Sequence, residues 1–203
     1  MTAENPGGLG RRLLEAGFGK PRGVLGRLGG WSMARGNAAT ERHLVDLADP
    51  DESEAVLVVG FGPGVGLREA GLRSARVVGV DPSPVMRRSA RHRCADLVRR
   101  GRVGVEPGTA EDTGAGDGSI DVVLSVNNVQ IWPDVHAGLV ELHRALRPGG
   151  RLLISAHQKW LTGGVSGLMR ALEGAGFDRV RGWTWEPPGR TAGTAAVLSA
   201  RRP

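Results

Sequence analysis

Short, continuous apolar runs alternate with helical stretches between residues 55 and 156. The runs are rich in Val, Leu and Ile and lack the alternation of apolar and polar residues that marks a half-buried strand. They therefore predict strands that are buried on both faces. Strands that alternate with helices indicate a parallel, doubly wound sheet. The predicted strands are AVLVV (55–59), ARVVGV (75–80), RVGVE (102–106), IDVVLSV (120–126) and RLLISA (151–156).

Both ends of the chain add elements to this sheet. Upstream, Ser32 can cap an amphipathic helix over residues 32–47, and Pro50 stops it. Downstream, a helix is predicted over 167–176, followed by two strands, DRVRGWTW and TAAVLSA, which can pair as an antiparallel hairpin. At about 150 residues per domain, the 203 residues predict one domain, with a helical N-terminal cover over 1–50 and a Rossmann-like core over 51–203.

The stretch VLVVGFGPGVG (56–66) runs from the first strand into a glycine-rich corner. Gly60, Gly62 and Gly64 let the backbone turn sharply and approach a ligand, and the next helix presents free N–H groups to it. This pattern indicates a nucleotide-binding corner. The dinucleotide fingerprint GxGxxG requires Gly at position 65, where this chain has Val65, and no GxxxxGK[ST] motif is present. A nicotinamide cofactor and a P-loop nucleotidase are therefore not expected.

An acidic residue follows the second strand. Asp81 lies 21 positions after Gly60, at the end of VVGVD. A carboxylate at this point of a doubly wound sheet is placed to accept hydrogen bonds from both hydroxyls of a ribose. The glycine corner and Asp81 together predict a ligand that contains a nucleoside.

Two further segments carry a family resemblance: GTAEDTGAGDGSIDVVLSVNNVQIWPD (108–134) and ELHRALRPGGRLLIS (141–155). With the glycine corner, they resemble the class I S-adenosylmethionine-dependent methyltransferases, in particular the small-molecule group that includes the ubiquinone/menaquinone-biosynthesis type. The resemblance covers roughly residues 32–200. It implies a Rossmann-like, seven-stranded, mostly parallel sheet with an antiparallel C-terminal strand, and S-adenosylmethionine as the cofactor.

The resemblance also implies which residues bind that cofactor. The glycine loop would lie beneath the methionine part, Asp81 would bind the ribose, and Ala110 would offer its backbone N–H to the adenine. The residues that end the fourth strand would face the sulfonium and the incoming acceptor. The implied cofactor-binding residues are Gly60, Phe61, Gly62, Gly64, Asp81, Pro82, Met86, Thr109, Ala110, Glu111, Val126 and Asn127.

The chain departs from the family pattern at two positions. The family usually has an acid two residues before the first glycine, near the methionine ammonium, and this chain has Val58. It usually has Asp where this chain has Thr109, although Glu111 or Asp112 can take over that contact. Each loss removes a hydrogen bond to a charged group, worth about 1.5–3 kcal/mol. These departures predict weakened cofactor binding.

Methyl transfer is an in-line displacement, so the protein mainly aligns the acceptor and excludes water. A general base is needed only where the acceptor must lose a proton, and the candidates are His157, which we prefer, and His136. Asn128, at the end of the fourth strand, is the third candidate catalytic residue. The expected acceptor pocket is lined by Trp31, Met33, Asn37, Gln130 and Trp132, although Trp31 and Trp132 are equally well explained as core residues.

Composition narrows the partners and the location. Of 27 basic residues all but Lys20 and Lys159 are Arg, and the net charge of +6 is better explained by compositional bias than by a nucleic-acid partner. An Arg-rich helix over 87–102 is expected to be solvated on its basic face, with Cys94 among its inward positions. This one cysteine, and the lack of an apolar run long enough to span a bilayer, predict a cytoplasmic protein without a membrane span.

We therefore expect an enzyme that methylates a small-molecule acceptor. Nucleic acid is not expected as a partner, and a homodimer is left open. Two alternatives remain at this stage: a methyltransferase of RNA or protein, and a methyltransferase-fold protein with weakened or lost activity that serves as a binding or assembly subunit.

Overall fold

The computed structural model describes residues 37–161, 163–188 and 193–203, and these ranges contain one seven-stranded sheet. The order across the sheet is β3-β2-β1-β4-β5-β7-β6. Pairings within β1 to β5 are parallel, whereas β7 runs antiparallel to both β5 and β6. The predicted fold is therefore confirmed. The strands are β1 (Ala55–Val59), β2 (Arg76–Val80), β3 (Val103–Glu106), β4 (Ile120–Val126), β5 (Leu146–His157), β6 (Asp178–Trp185) and β7 (Ala195–Arg201).

Helices cover both faces of the sheet. They are α1, whose described part covers 37–48, α2 (Val65–Arg73), α3 (Pro84–Arg93), α4 (Ala95–Arg99), α5 (Val135–Ala145) and α6 (Gly164–Gly174). Leu57 on β1 belongs to one hydrophobic cluster with α5 and α6, while its neighbours Val56 and Val58 belong to a second cluster with α1 to α4. This two-sided burial explains why β1 is apolar at every position. No helix in the described ranges is long and apolar enough to cross a membrane.

The chain order reverses at β1, which pairs with β2 on one side and β4 on the other. In open α/β sheets, ligands bind at the carboxyl ends of the strands at this switch point. The loops that follow β1, β2 and β4 therefore meet at the edge where the sequence places its glycine corner, Asp81 and Asn127.

Helix α1 is fixed to the sheet at its carboxyl end. Arg151 on β5 donates from Nε to the carbonyl oxygen of Ala48 at 2.8 Å, and binds both carboxylate oxygens of Glu54 at 2.6 and 2.7 Å. The His43 ring stacks on Trp185 of β6, with centroids 4.0 Å apart. The described part of the predicted N-terminal cover thus packs directly on the core, and the division at residue 50 stays a prediction.

Three expectations about local structure need correction. The Arg-rich segment forms two helices rather than one, because the chain leaves helical geometry at Cys94. Its basic face is only partly solvated, since Arg87 donates to the carbonyl oxygen of Asp81 and Arg102 to that of Gly71. The strand predicted at 151–156 is longer: β5 begins at Leu146, with an irregular register opposite β4.

Candidate functional site

A cavity of about 700 Å³ lies at the carboxyl ends of β1, β2 and β4. Its volume is within the range of roughly 300–1,000 Å³ that is typical of small-molecule pockets. It brings together most of the residues that the sequence singled out. Those that line it are Asn37, Gly60, Phe61, Gly62, Asp81, Pro82, Met86, Thr109, Ala110, Glu111, Val126, Asn127, Asn128 and Trp132.

Four predicted site residues lie outside this lining. Gly64 precedes α2 and packs on α3, where an added Cβ would come within 2.8 Å of the Ala90 Cβ. Gln130 donates to the carbonyl oxygen of Asn127 at 2.9 Å. His136 is exposed on α5, and His157 lines a separate, smaller hollow at the end of β5. Trp31 and Met33 lie outside the described residues.

The glycine corner has two different physical reasons to be glycine. Gly60 has φ +62°, and a Cβ there would lie 2.5 Å from Nδ2 of Asn128. Gly62 has φ +54°, and a Cβ there would meet no atom within 4 Å. A side chain at residue 60 is thus excluded by a protein neighbour, whereas residue 62 requires glycine for its left-handed backbone.

Asp81 is held in place by backbone donors. Its Oδ2 accepts from the Gly62 N–H at 3.0 Å, and its Oδ1 accepts from the Ser83 N–H at 2.8 Å. Burial raises the pKa of this carboxyl to about 6, although both N–H groups lower it. A carboxylate offers about four acceptor positions, so each oxygen retains one for a ligand hydroxyl. This geometry fits the ribose role that the sequence predicts.

Asn128 is fully engaged in joining β1 to β4. Its Nδ2 donates to the Val59 carbonyl oxygen at 2.8 Å, while its Oδ1 accepts from Ser125 Oγ and Trp132 Nε1, both at 2.8 Å. These bonds give Asn128 a positioning role in the cavity wall. Its predicted catalytic role stays a prediction.

Asn127, by contrast, retains an unused polar atom. Its backbone has φ +53°, and its Nδ2 donates to Oδ1 of Asn37 on α1 at 3.0 Å. Its buried Oδ1 has no hydrogen-bond partner among the described residues. A buried acceptor in a cavity wall is costly to leave unpaired, so a ligand hydrogen is a physically suitable partner.

The wall around these groups is mostly apolar. Phe61, Val58, Leu124 and Ile131 contribute to it, together with Trp132. Trp132 is 7% exposed and belongs to the core cluster while also lining the cavity, so both sequence interpretations of this residue apply. An apolar wall with a few placed polar groups is typical of small-molecule sites.

The Thr109 loop closes the cavity beyond β3. Thr109 accepts from the Asp112 N–H through Oγ1 at 3.2 Å and donates its own N–H to the Asp112 carbonyl oxygen at 2.9 Å. Of the two acids that could take over from an Asp at position 109, Glu111 lines the cavity and Asp112 does not.

Sequence reasoning missed Glu41 on α1, which lines the cavity and is 7% exposed. Its Oε2 accepts from the Gly66 N–H at 2.5 Å. Burial raises the pKa of this carboxyl to about 7, against the lowering effects of Gly66 N–H and Arg93. The available signal was the helical spacing, because Glu41 shares the inward face of α1 with Leu44 and Val45.

Fold and cavity together define a doubly wound α/β protein with a small-molecule site at its switch point. A family model described as a methyltransferase domain matches residues 57–154. YdaC of Bacillus subtilis, described as an uncharacterized methyltransferase, is 31% identical over 130 residues, which are 63% of this chain and 70% of YdaC. The chain belongs to the class I S-adenosylmethionine-dependent methyltransferases, and its cofactor is S-adenosylmethionine.

Other relatives are matched over a smaller share of their length. Demethylmenaquinone methyltransferase of Corynebacterium kroppenstedtii is 32% identical over 52% of this chain and 43% of the relative. The chain spans between 32% and 41% of several further curated relatives as well. Among solved structures, Haemonchus contortus phosphoethanolamine N-methyltransferase 2 in complex with S-adenosyl-L-methionine superposes with a TM-score of 0.75 at 17% identity, over 95% of this chain and 60% of that one. That likeness supports the fold alone.

Proposed function

We propose that this protein transfers a methyl group from S-adenosylmethionine to a small-molecule acceptor held in the same cavity. The observation that carries the proposal is the shared wall: one cavity of about 700 Å³ reaches both Asp81 after β2 and Asn127 after β4. Since β1 lies between those strands, their ends are separated by about 10 Å, twice the spacing of neighbouring strands. Such a cavity has room for a cofactor and an acceptor side by side.

Residues on the β1–β2 side fit the cofactor. Asp81 would accept from the ribose hydroxyls, and the left-handed backbone at Gly62 would let the loop approach the ligand closely. When bound, S-adenosylmethionine supplies a methyl group on a positively charged sulfur. The residues of this chain then orient the acceptor and exclude water, which are the main requirements of an in-line transfer.

Residues on the β4 side fit an uncharged acceptor. The apolar wall of Leu124, Ile131 and Trp132 favours a flat or aliphatic molecule, and Asn127 Oδ1 would accept a hydrogen from its hydroxyl or amine. The histidines His136 and His157 lie outside the lining, so the wall favours an acceptor that needs no histidine base. The name of demethylmenaquinone methyltransferase supports an acceptor of quinone type.

A labelled-methyl assay tests this proposal. The protein is incubated with S-adenosylmethionine carrying an isotopic methyl group and, separately, with quinols, phenols, small amines, bulk RNA and a protein extract. We expect label in a small molecule, and we expect Asn127→Leu to reduce that transfer, while the control Thr184→Leu, at an exposed position of β6, leaves it unchanged. Label confined to RNA at low salt, label confined to protein, or cofactor binding without transfer to any class contradicts the proposal.

A further inference from the structure

The cavity wall contains a buried carboxylate that the cofactor contacts proposed above do not use. Glu41 reaches the glycine corner from α1, outside the sheet. It accepts a hydrogen bond from the Gly66 N–H, and the glycine leaves room for it, since a Cβ at residue 66 would lie only 3.1 Å from Glu41 Oε2. The two residues are 25 positions apart and belong to different elements. The structure therefore brings an ionisable carboxyl group into the same cavity wall in which β1 contributes Val58.

The bond to the N-terminus of α2 does not by itself explain why residue 41 is an acid. Gly64 precedes α2 without a side-chain cap, and Glu41 accepts from the second N–H of the helix instead. A Gln side chain would accept the same hydrogen bond without the cost of burying a charge. Among the described residues, the ion pairs do not include Glu41, and Arg93, which lowers its pKa from a distance, donates through Nε to the Pro63 carbonyl oxygen. A bound ligand that carries a positive charge would offset the cost of burying this carboxylate beside the cavity.

We propose that Glu41 binds the α-ammonium group of S-adenosylmethionine. This inference rests on the proposed binding of the cofactor in this cavity. An ammonium offers three N–H donors and a full positive charge, which match the acceptor capacity that Glu41 keeps beyond its bond to Gly66. Asp81 already has a partner on each oxygen and lies after β2, whereas the carboxylate of Glu41, on α1, contacts the start of α2. The two buried acids would thus hold two different parts of the same ligand, Asp81 the ribose and Glu41 the amino-acid part.

Calorimetric titration with two probes tests the proposal without relying on activity. S-adenosylhomocysteine has the ammonium but no sulfonium, and 5′-methylthioadenosine lacks the whole amino-acid part. Glu41→Gln is expected to weaken S-adenosylhomocysteine binding by about ten- to a hundredfold, the value of a lost hydrogen bond to a charged group. The same variant should bind 5′-methylthioadenosine as the unmodified protein does. Glu173→Gln, at an exposed position of α6, is the matched control and should leave both affinities unchanged.

The outcomes separate the possible failures. Equal loss for both probes means that Glu41 only shapes the cavity, and unchanged binding of S-adenosylhomocysteine means that it is a cap or a proton acceptor; either result overturns the proposal. Tighter binding of S-adenosylhomocysteine would also overturn it, because Glu41 would then face the ligand carboxylate. Failure of the unmodified protein to bind 5′-methylthioadenosine would instead contradict the placement of the cofactor in this cavity.

Discussion

Asn128 donates from Nδ2 to the carbonyl oxygen of Val59 at 2.8 Å, and the same Nδ2 lies 2.5 Å from where a Cβ on Gly60 would be. The bond joins the last residue of β1 to the segment after β4, and Oδ1 of the same side chain holds Trp132. One amide thus fixes the spacing of two loops that shape the cavity. The relationship explains why position 60 excludes a side chain and why the Trp132 indole lies in the wall.

Replacing Asn128 by Leu should destabilise the fold strongly. The change leaves Ser125 Oγ and Trp132 Nε1 without their buried acceptor, and each unpaired group costs about 1–3 kcal/mol. We expect a loss of about 2–4 kcal/mol in the free energy of unfolding, measured by urea titration. Gln130→Leu, which removes a single side-chain bond, is the control and should cost about 1 kcal/mol. Equal losses for the two variants would contradict the role given to Asn128.

The two cavity glycines should respond differently to alanine. Gly60→Ala places a methyl group against Asn128, while Gly62→Ala meets no atom and is strained only by its positive φ. We expect Gly62→Ala to cost about 1 kcal/mol of stability and Gly60→Ala at least 1 kcal/mol more, as for an overpacked core. Thermal unfolding of both variants measures the difference. A larger loss of stability for Gly62→Ala than for Gly60→Ala would show that the Asn128 side chain moves aside at little cost.

Asp81→Asn should weaken binding of S-adenosylhomocysteine by about tenfold or more, since a charged acceptor for the ribose hydroxyls becomes a neutral one. Isothermal titration gives the affinity. Asp178→Asn, an exposed position at the start of β6, serves as the control. If Asp81→Asn binds S-adenosylhomocysteine as tightly as the unmodified protein does, Asp81 does not bind the ribose.

The candidate bases can be tested by rate. Because His136 and His157 lie outside the cavity lining, His136→Gln and His157→Gln should each leave kcat within about twofold, well below the roughly 10²–10⁴-fold contribution of a general base. A loss of a hundredfold for either variant would establish that histidine as the base and would require the loops to move on binding.

Glu41 should make the unliganded protein less stable as the pH rises. Its pKa is raised on folding from 4.5 to about 7, so between these values the folded state holds a proton that the unfolded state has released. Stability therefore falls across that range, by about 3 kcal/mol from this group. Arg93, Arg42 and the neighbouring Glu69 set the local field.

Urea unfolding at pH 5 and pH 8 measures this effect as a difference between the unmodified protein and Glu41→Gln. Asp81, whose pKa is also raised, and His43, His143 and His157, whose pKa values are lowered by burial, change both proteins alike. We expect the variant to gain stability relative to the unmodified protein at pH 8 and to lose that advantage at pH 5. Parallel pH profiles would show that Glu41 ionises as freely in the folded protein as in the unfolded chain.

The sheet could be predicted from sequence because its signal is local. Val56 and Leu57 are both apolar since they enter different hydrophobic clusters, and such runs mark each buried strand. Gly62 and Asp81 could be found for a related reason: each stands at a strand end, where the sequence position already gives the place in the fold.

Contacts between distant elements could not be predicted in this way. The contacts of Gly60 with Asn128 and of Gly66 with Glu41 join positions far apart along the chain, so no spacing rule indicates them. The same holds for the Arg-rich segment, where Arg87 and Arg102 appear solvated by helical periodicity alone but donate to nearby carbonyl oxygens in the fold.

Because Arg151 holds α1 against the sheet, substitutions in α1 can alter the cavity wall. Part of the cavity wall, including Asn37 and Glu41, is carried by chain that precedes the sheet and lies outside the matched methyltransferase domain of residues 57–154. Substitutions in α1 can therefore redesign the ligand environment while every strand stays as it is. A new ligand preference can thus arise on the helix before the sheet, without substitution of a strand residue.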